Sequence, residues 1–209
     1  MGHQRRENPD TGVERLSDEE LMARAQAQDT RAVDVLVSRH YASVLNFAYR
    51  LLGSRDAAAD VAQKTFTRVF ASAGTFKLGK RFRTWMFAIA ANLCRDELRA
   101  KAAKREASLE EIQERAGDAF SAGGTVPDTF DEAAGRLFSE SIWEKVRTLP
   151  EEMAIPLVLH YRDGLTFAEI AEVMRVPVGS AKSWAFHGIR RLRAELSGEG
   201  LLDIEGEVE

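Results

Sequence analysis

The sequence predicts an all-α protein: two small helical domains joined by a flexible acidic linker, the second domain containing a helix-turn-helix. Three observations predict it. Apolar residues recur every three or four positions in one segment after another, and no segment alternates as a half-buried strand would. Two sequences, Ser17-Asp18-Glu19-Glu20 and Thr166-Phe167-Ala168-Glu169, read as capping boxes, in which a hydroxyl and a carboxylate three residues apart satisfy the free amides of a helix start. Between the helical halves, Glu106 to Asp131 is acidic and broken by Gly117, Gly123, Gly124 and Pro127, the composition of a connector.

Residues 1–16 are polar and aperiodic and are expected to be disordered. The first domain is assigned to 17–105. After its capping box, Asp29-Thr30 opens a long helix that Gly53 ends, with Val33, Val37, Tyr41, Val44, Ala48 and Leu51 along one face. Asp56 to Phe70 forms the next helix. Its apolar face is Ala58, Ala62, Phe66, Val69 and Phe70, and Asp60, Gln63, Lys64 and Thr67 lie opposite. Ser72 to Lys80 holds two glycines and reads as a loop. A helix from Arg83 to Lys104 follows, with Trp85, Met86, Ile89 and Leu93 turned inward.

The linker is assigned to 106–134, partly helical at its start, and the second domain to 135–196. Pro150 suits a helix start, where its missing amide is not needed. Pro156, inside the helical pattern, is expected to kink it. Thr166 starts a short helix carrying Ile170, Ala171, Val173 and Met174. Arg175-Val176-Pro177-Val178-Gly179 breaks it, and a longer helix runs from Ser180 to Leu196. Ala181, Ala185, Ile189, Leu192 and Leu196 form its buried stripe, while Ser183, Phe186, His187 and Arg190 face away. In a helix-turn-helix the second helix enters the major groove and side chains near its start read base edges. A helical hairpin in any bundle would give a similar pattern. The acidic tail, 197–209, is expected to be loose.

Charge is unevenly placed along the 209 residues, and the net of −4 hides it. Lys80 to Arg105 carries eight Lys/Arg against two acids, and Arg175 to Arg193 carries five with no acid. Glu106 to Glu152 carries twelve acids against four bases. Two basic stretches separated by an acidic connector suit a chain that touches a polyanion in two places; the plain alternative is that they are solvated helix faces.

Several classes are excluded. One cysteine, Cys94, allows no internal disulfide. His3, His40, His160 and His187 show no metal-ligand spacing among themselves or with Cys94, and there is no Walker sequence or glycine-rich nucleotide turn. No catalytic residue, metal or cofactor is therefore expected, and the chain is read as a non-enzyme. The longest apolar run, Met86 to Cys94, falls short of the ~20 residues of a membrane helix. The N-terminus lacks the apolar core of a signal peptide. A cytoplasmic location without membrane insertion is expected.

Three segments carry a resemblance: DAAADVAQKTFTRVF (Asp56 to Phe70), FRTWMFAIAANLCRDELR (Phe82 to Arg99) and LPEEMAIPLVLHYRDGLTFAEIAEVMRVPVGSAKSWAFHGIRRLR (Leu149 to Arg193). In this order, with an acidic linker between, they resemble the sigma factors of bacterial RNA polymerase, most closely the small extracytoplasmic-function (ECF) subfamily. The resemblance implies that 17–105 corresponds to sigma region 2 and 135–196 to region 4. It implies that Asp60, Gln63, Lys64 and Thr67 contact core RNA polymerase, although the family usually has an acid where Lys64 stands. It implies that Phe76, Ile89, Asn92, Arg95 and Arg99 hold the melted minus-ten strand of promoter DNA, with Phe76, Ile89 and Asn92 around a flipped-out base. It implies that the helix beginning at Ser180 reads the minus-thirty-five element. Lys182, Ser183 and Phe186 stand at its contact positions, with Arg190 on the same outward face. Trp184 and His187 stand where arginines are common. Ile155, Leu157 and Val158 would divide between the domain core and the polymerase flap. Such factors are commonly held by an anti-sigma factor.

The expected function is promoter-specific initiation with core polymerase and melting of the minus-ten region. The rival is a free-standing helix-turn-helix regulator that binds duplex DNA without polymerase, but such a protein has no need of an aromatic melting helix. A nuclease would need acids clustered within the basic stretches, which the sequence lacks.

Overall fold

A computed structural model describes residues 12–112 and 142–198; among them there is no strand. Four helices build the first domain: α1 (Asp18–Gln26), α2 (Thr30–Leu52), α3 (Arg55–Ala71) and α4 (Phe82–Ile112). Each start is explained by a nearby acceptor. The Ser17 amide donates to the Glu20 carboxylate at 2.7 Å and the Glu20 amide to Ser17 Oγ at 3.2 Å, which is the expected capping box. Asp29 accepts from the Arg31 amide at 3.1 Å, and Ser54 from the Ala57 amide at 3.4 Å. For α4 the acceptor comes from another helix: the Phe82 amide donates to Glu19 of α1 at 3.0 Å. Gly53 ends α2 in the left-handed conformation, φ +69°. A β-carbon there would stand 2.9 Å from Arg147 Cδ, so a side chain would both strain the backbone and displace Arg147.

The apolar stripe of α2 is rotated from the expected one. Ala32, Leu36, His40, Val44, Phe47, Ala48 and Leu51 are buried; Val33 and Val37 are only half-buried, and Tyr41 is exposed. The cause is His40. Its Nε2 lies 2.7 Å from Asp18 Oδ2, so a polar residue occupies an inward position and breaks the apolar pattern. Within the segment expected to be disordered, 1–16, Val13–Arg15 instead form a 3-10 turn with Val13 buried. Residues 1–11 lie outside the described ones. Helix α4 passes its expected end at Lys104 and reaches Ile112, because Glu106 to Ile112 contains no Gly or Pro and is rich in strong helix formers. The remainder of the assigned linker lies outside the described residues.

The second domain comprises α5 (142–148), α6 (Glu151–Tyr161), α7 (Phe167–Met174) and α8 (Val178–Gly198). Helix α6 runs through Pro156, and Ile155, Leu157 and Val158 are all buried in the domain core, so none of the three is presented outward as expected. The Thr166–Glu169 capping box opens α7, and Arg175, at φ +56°, closes it. Helices α6 and α8 approach closely at Gly188, where a β-carbon would stand 2.8 Å from Leu157 Cδ1. The two domains pack together, α7 against α4 and α6 against α2.

Candidate nucleic-acid interface

On α8 the stripe falls as expected: Ala181, Ala185, Leu192 and Leu196 are buried and Ile189 is half-buried. The opposite face carries Lys182, Ser183, Phe186, His187 and Arg190, all exposed, with Ser180 half-buried at the first turn. Phe186 is 63% exposed and packs edge-on to the His187 ring, 5.8 Å between centroids. An exposed aromatic between a lysine and an arginine on a helix without acids before Glu195 can meet base edges and phosphates together.

On α3, Asp60, Gln63, Lys64 and Thr67 form one exposed strip. Lys64 Nζ lies 3.2 Å from Glu97 Oε1 of α4, and Thr67 Oγ1 donates to the Gln63 carbonyl at 2.9 Å. Buried against the core on the other side are Ala58, Val61, Ala62, Thr65, Phe66 and Val69; the expected Phe70 is only half-buried, since Thr65 takes an inward place and donates to the Val61 carbonyl.

On α4 the expected strand-holding residues divide. Asn92 and Arg95 meet: Arg95 Nη1 donates to Asn92 Oδ1 at 3.0 Å, which turns the Asn92 amide nitrogen toward other acceptors. Ile89 is half-buried beside them and Arg99, one turn on, is exposed. Phe76 is placed elsewhere. Its ring is buried, 5.1 Å from Trp85 and 6.3 Å from Phe82 between centroids, and Gln26 holds its turn by donating to the Ala73 and Phe76 carbonyls. In this structure Phe76 is a core residue and presents no face for stacking. The exposed apolar side chain of that loop is Leu78, which sequence reasoning passed over because a lone Leu among Lys and Gly shows no period.

Lys80, Arg81 and Arg83 complete the basic surface where α4 begins. They belong to the counted basic stretch, but nothing in their spacing sets them apart. Each meets the second domain: Lys80 Nζ lies 3.5 Å from Glu172, Arg81 Nη1 3.2 Å from Glu169, and Arg83 Nη2 donates to the Asp163 carbonyl at 2.7 Å. Burial pushes the Asp163 carboxyl up to about 6, against the pull of Arg83, Arg50 and Arg162. Cys94 is buried in the first domain's core and its thiol is pushed up to about 12, so it is no nucleophile at neutral pH.

Residues 36–104 match the family model for sigma-70 region 2, and residues 139–192 that for sigma-70 region 4. The ECF RNA polymerase sigma factor SigW of Bacillus subtilis is 30% identical over 171 residues, covering 80% of this chain and 90% of its own. The chain belongs to the ECF sigma factors. Its function is that of the family, binding RNA polymerase and directing initiation at particular promoters. Two solved structures share the fold. CnrH, in complex with the cytosolic domain of CnrY, matches with a TM-score of 0.63 at 23% identity, covering 87% of this chain and 97% of that one. RpoE of Bartonella quintana, in complex with the anti-sigma factor NepR, matches with a TM-score of 0.58 at 20% identity, covering 77% and 94%. None of the described helices of this sigma factor is long and apolar enough to cross a membrane.

Proposed function

We propose a division of labour among three faces of this sigma factor. Asp60, Gln63, Lys64 and Thr67 on α3 dock on core polymerase. Ile89, Asn92, Arg95 and Arg99 on α4, with Leu78 in the preceding loop, hold the non-template minus-ten strand. Ser180, Lys182, Ser183, Phe186, His187 and Arg190 on α8 read the minus-thirty-five duplex. The observation that carries this reading is the pair of basic faces of different shape. Helix α8 is a convex exposed ridge suited to a groove, while α4 places an amide, an aliphatic side chain and two guanidinium groups on one side, suited to unstacked bases and their phosphates. Residues 17–105 and 135–196 act as the two DNA-contacting domains, joined through 106–134. The factor acts in the cytoplasm, without catalysis or cofactor of its own, and an anti-sigma factor is among its partners, as the anti-sigma factor NepR is for the Bartonella quintana RpoE.

Run-off transcription with purified core polymerase and a promoter library tests this. Initiation from a subset of promoters is expected, lost on Asp60→Ala/Gln63→Ala with duplex binding intact. Duplex binding with no transcript from any promoter would favour the free-standing regulator.

A further inference from the structure

No residue of α1 lies on any of the three proposed faces, yet this helix holds both ends of the loop before α4. At one end Gln26 Nε2 donates to the Ala73 carbonyl at 2.9 Å and to the Phe76 carbonyl at 3.0 Å. At the other end Glu19 Oε1 accepts from the Phe82 amide at 3.0 Å. Glu19 and Gln26 stand about two helical turns apart, so they share one side of α1. Helix α1 is itself anchored on α2: Asp18 accepts from Arg39 Nη1 at 2.9 Å, and its other oxygen lies 2.7 Å from His40 Nε2. Between the two tethers, Lys77, Leu78, Gly79, Lys80 and Arg81 are all exposed, and Gly79 takes φ +95°. The loop therefore has a fixed base and a presented tip.

We propose that Glu19 and Gln26 are positioning residues for promoter melting: through these two tethers α1 fixes where the 77–81 tip, and with it Leu78, meets the minus-ten strand. The inference rests on the reading of Leu78 and α4 as the strand-holding set. A tip that contains a glycine samples many conformations if its base is loose, and capture of an unstacked base must then order it. A base tied down on folding removes that ordering from the DNA step. Neither residue has to touch DNA. Gln26 acts by donating and Glu19 by accepting, so the head group of each side chain decides the effect and its bulk does not. Gln26→Glu keeps the shape, but a carboxylate cannot donate, and it turns its charge on two carbonyl oxygens. Glu19→Gln keeps an acceptor oxygen for the Phe82 amide, and Glu19→Ala removes it.

The test uses the full-length chain with core polymerase on a promoter that fires in the run-off assay, with strand opening read by permanganate. Gln26→Glu and Glu19→Ala should each lower opening about three- to tenfold, with affinity for polymerase and for minus-thirty-five duplex unchanged. Glu19→Gln should stay within about twofold of the parent. A double-mutant cycle with Leu78→Ala separates positioning from general weakening. Leu78→Ala should lower opening in the parent and add little in the Gln26→Glu background, because a displaced tip no longer delivers Leu78. Additive losses overturn the proposal, as does a Glu19→Gln variant as impaired as Glu19→Ala. A Gln26→Glu chain without a melting transition makes Gln26 a structural amide and overturns it too. If Leu78→Ala impairs opening while Gln26→Glu and Glu19→Ala open normally, the positioning role falls and the strand role of the loop stands. If Leu78→Ala itself opens normally, the loop leaves the strand-holding set and the proposal goes with it.

Discussion

Helices α4 and α8 carry the same kind of charge and are treated differently by the fold. Helix α8 is held from behind by α6 and α7, so its Lys182 to Arg190 face is left to solvent. Helix α4 meets α7 on its basic side, where Lys80 and Arg81 find Glu172 and Glu169, while Arg95 and Arg99 find Glu151 at the start of α6. A basic stretch in a sequence is therefore not yet a nucleic-acid surface. What decides is whether another domain of the same chain supplies the counter-charge: on α4 the second domain does, whereas on α8 Arg191 pairs within its own helix, with Glu195 at 3.3 Å, and the Lys182 to Arg190 face stays exposed.

The largest effect is expected from breaking the platform of α8. Gly188→Val puts branched carbon where a bare β-carbon already meets Leu157 Cδ1 at 2.8 Å, inside a packed core. A loss of ~1–3 kcal/mol is expected from such overpacking. Thermal melting should show the second domain weakened and duplex binding reduced. Binding of single-stranded DNA should rise, because a loosened second domain no longer covers α4. A parallel fall in both affinities would break the contrast between the two helices.

Next in size is Asn92→Ala. The residue is half-buried and accepts one hydrogen bond from Arg95, so the cost to folding is small, ~0.5–1.5 kcal/mol. Polymerase binding and duplex binding should persist. Permanganate reactivity should show promoter opening reduced about tenfold, as for loss of a bidentate base contact, and a template pre-melted across the minus-ten region should recover only part of it. Normal opening of duplex promoters would remove Asn92 from the strand-holding set. An unfolded variant would make it a structural amide.

These expectations also show how far the sequence was legible. Both capping boxes, the Gly53 stop, the α8 stripe and the exposed α3 strip follow from local rules that need only neighbours three or four residues away. The rotated stripe of α2 did not follow, because the reason His40 turns inward is Asp18, on another helix. Phe76 looked like a loop aromatic, but Gln26, fifty positions earlier, ties its turn down. The three carboxylates that cover α4 were least legible of all. Glu169 reads as a cap, Glu151 as an ordinary first-turn acid, and Glu172 as a solvated one; their pairing exists only in the packing of two domains.

A smaller effect separates phosphate contacts on the two helices. Lys182→Ala should lower the salt slope of duplex binding by about one, as expected for one lost phosphate contact. Arg99→Ala should leave that slope unchanged, because α4 does not touch the minus-thirty-five duplex. Fluorescence anisotropy across a salt series checks both. Equal changes would place the two residues on one shared DNA path.

The smallest expected effect concerns pH and comes from Asp163. The groups facing it are Arg83 from α4, Arg50 from α2 and Arg162 from its own segment, yet burial outweighs them and the carboxyl titrates at about 6. If the domains separate, it returns to solvent and to a value of ~4. Between these values the closed form binds more protons than the open form, so closure is favoured at the acid end and weakens as pH rises through about 6. Asp163→Asn is neutral at every pH and keeps the shape of the protonated acid. It should keep the domains together through pH 6, by which the parent has loosened, and flatten the profile. Energy transfer between dyes on the two domains, read from about pH 4 to 7, measures this. The difference between the two curves isolates one proton, since every other titrating group is common to both chains. Identical curves would mean that Asp163 keeps its burial in the open form, and that the weakening of the α4 cover with pH must be assigned to another group.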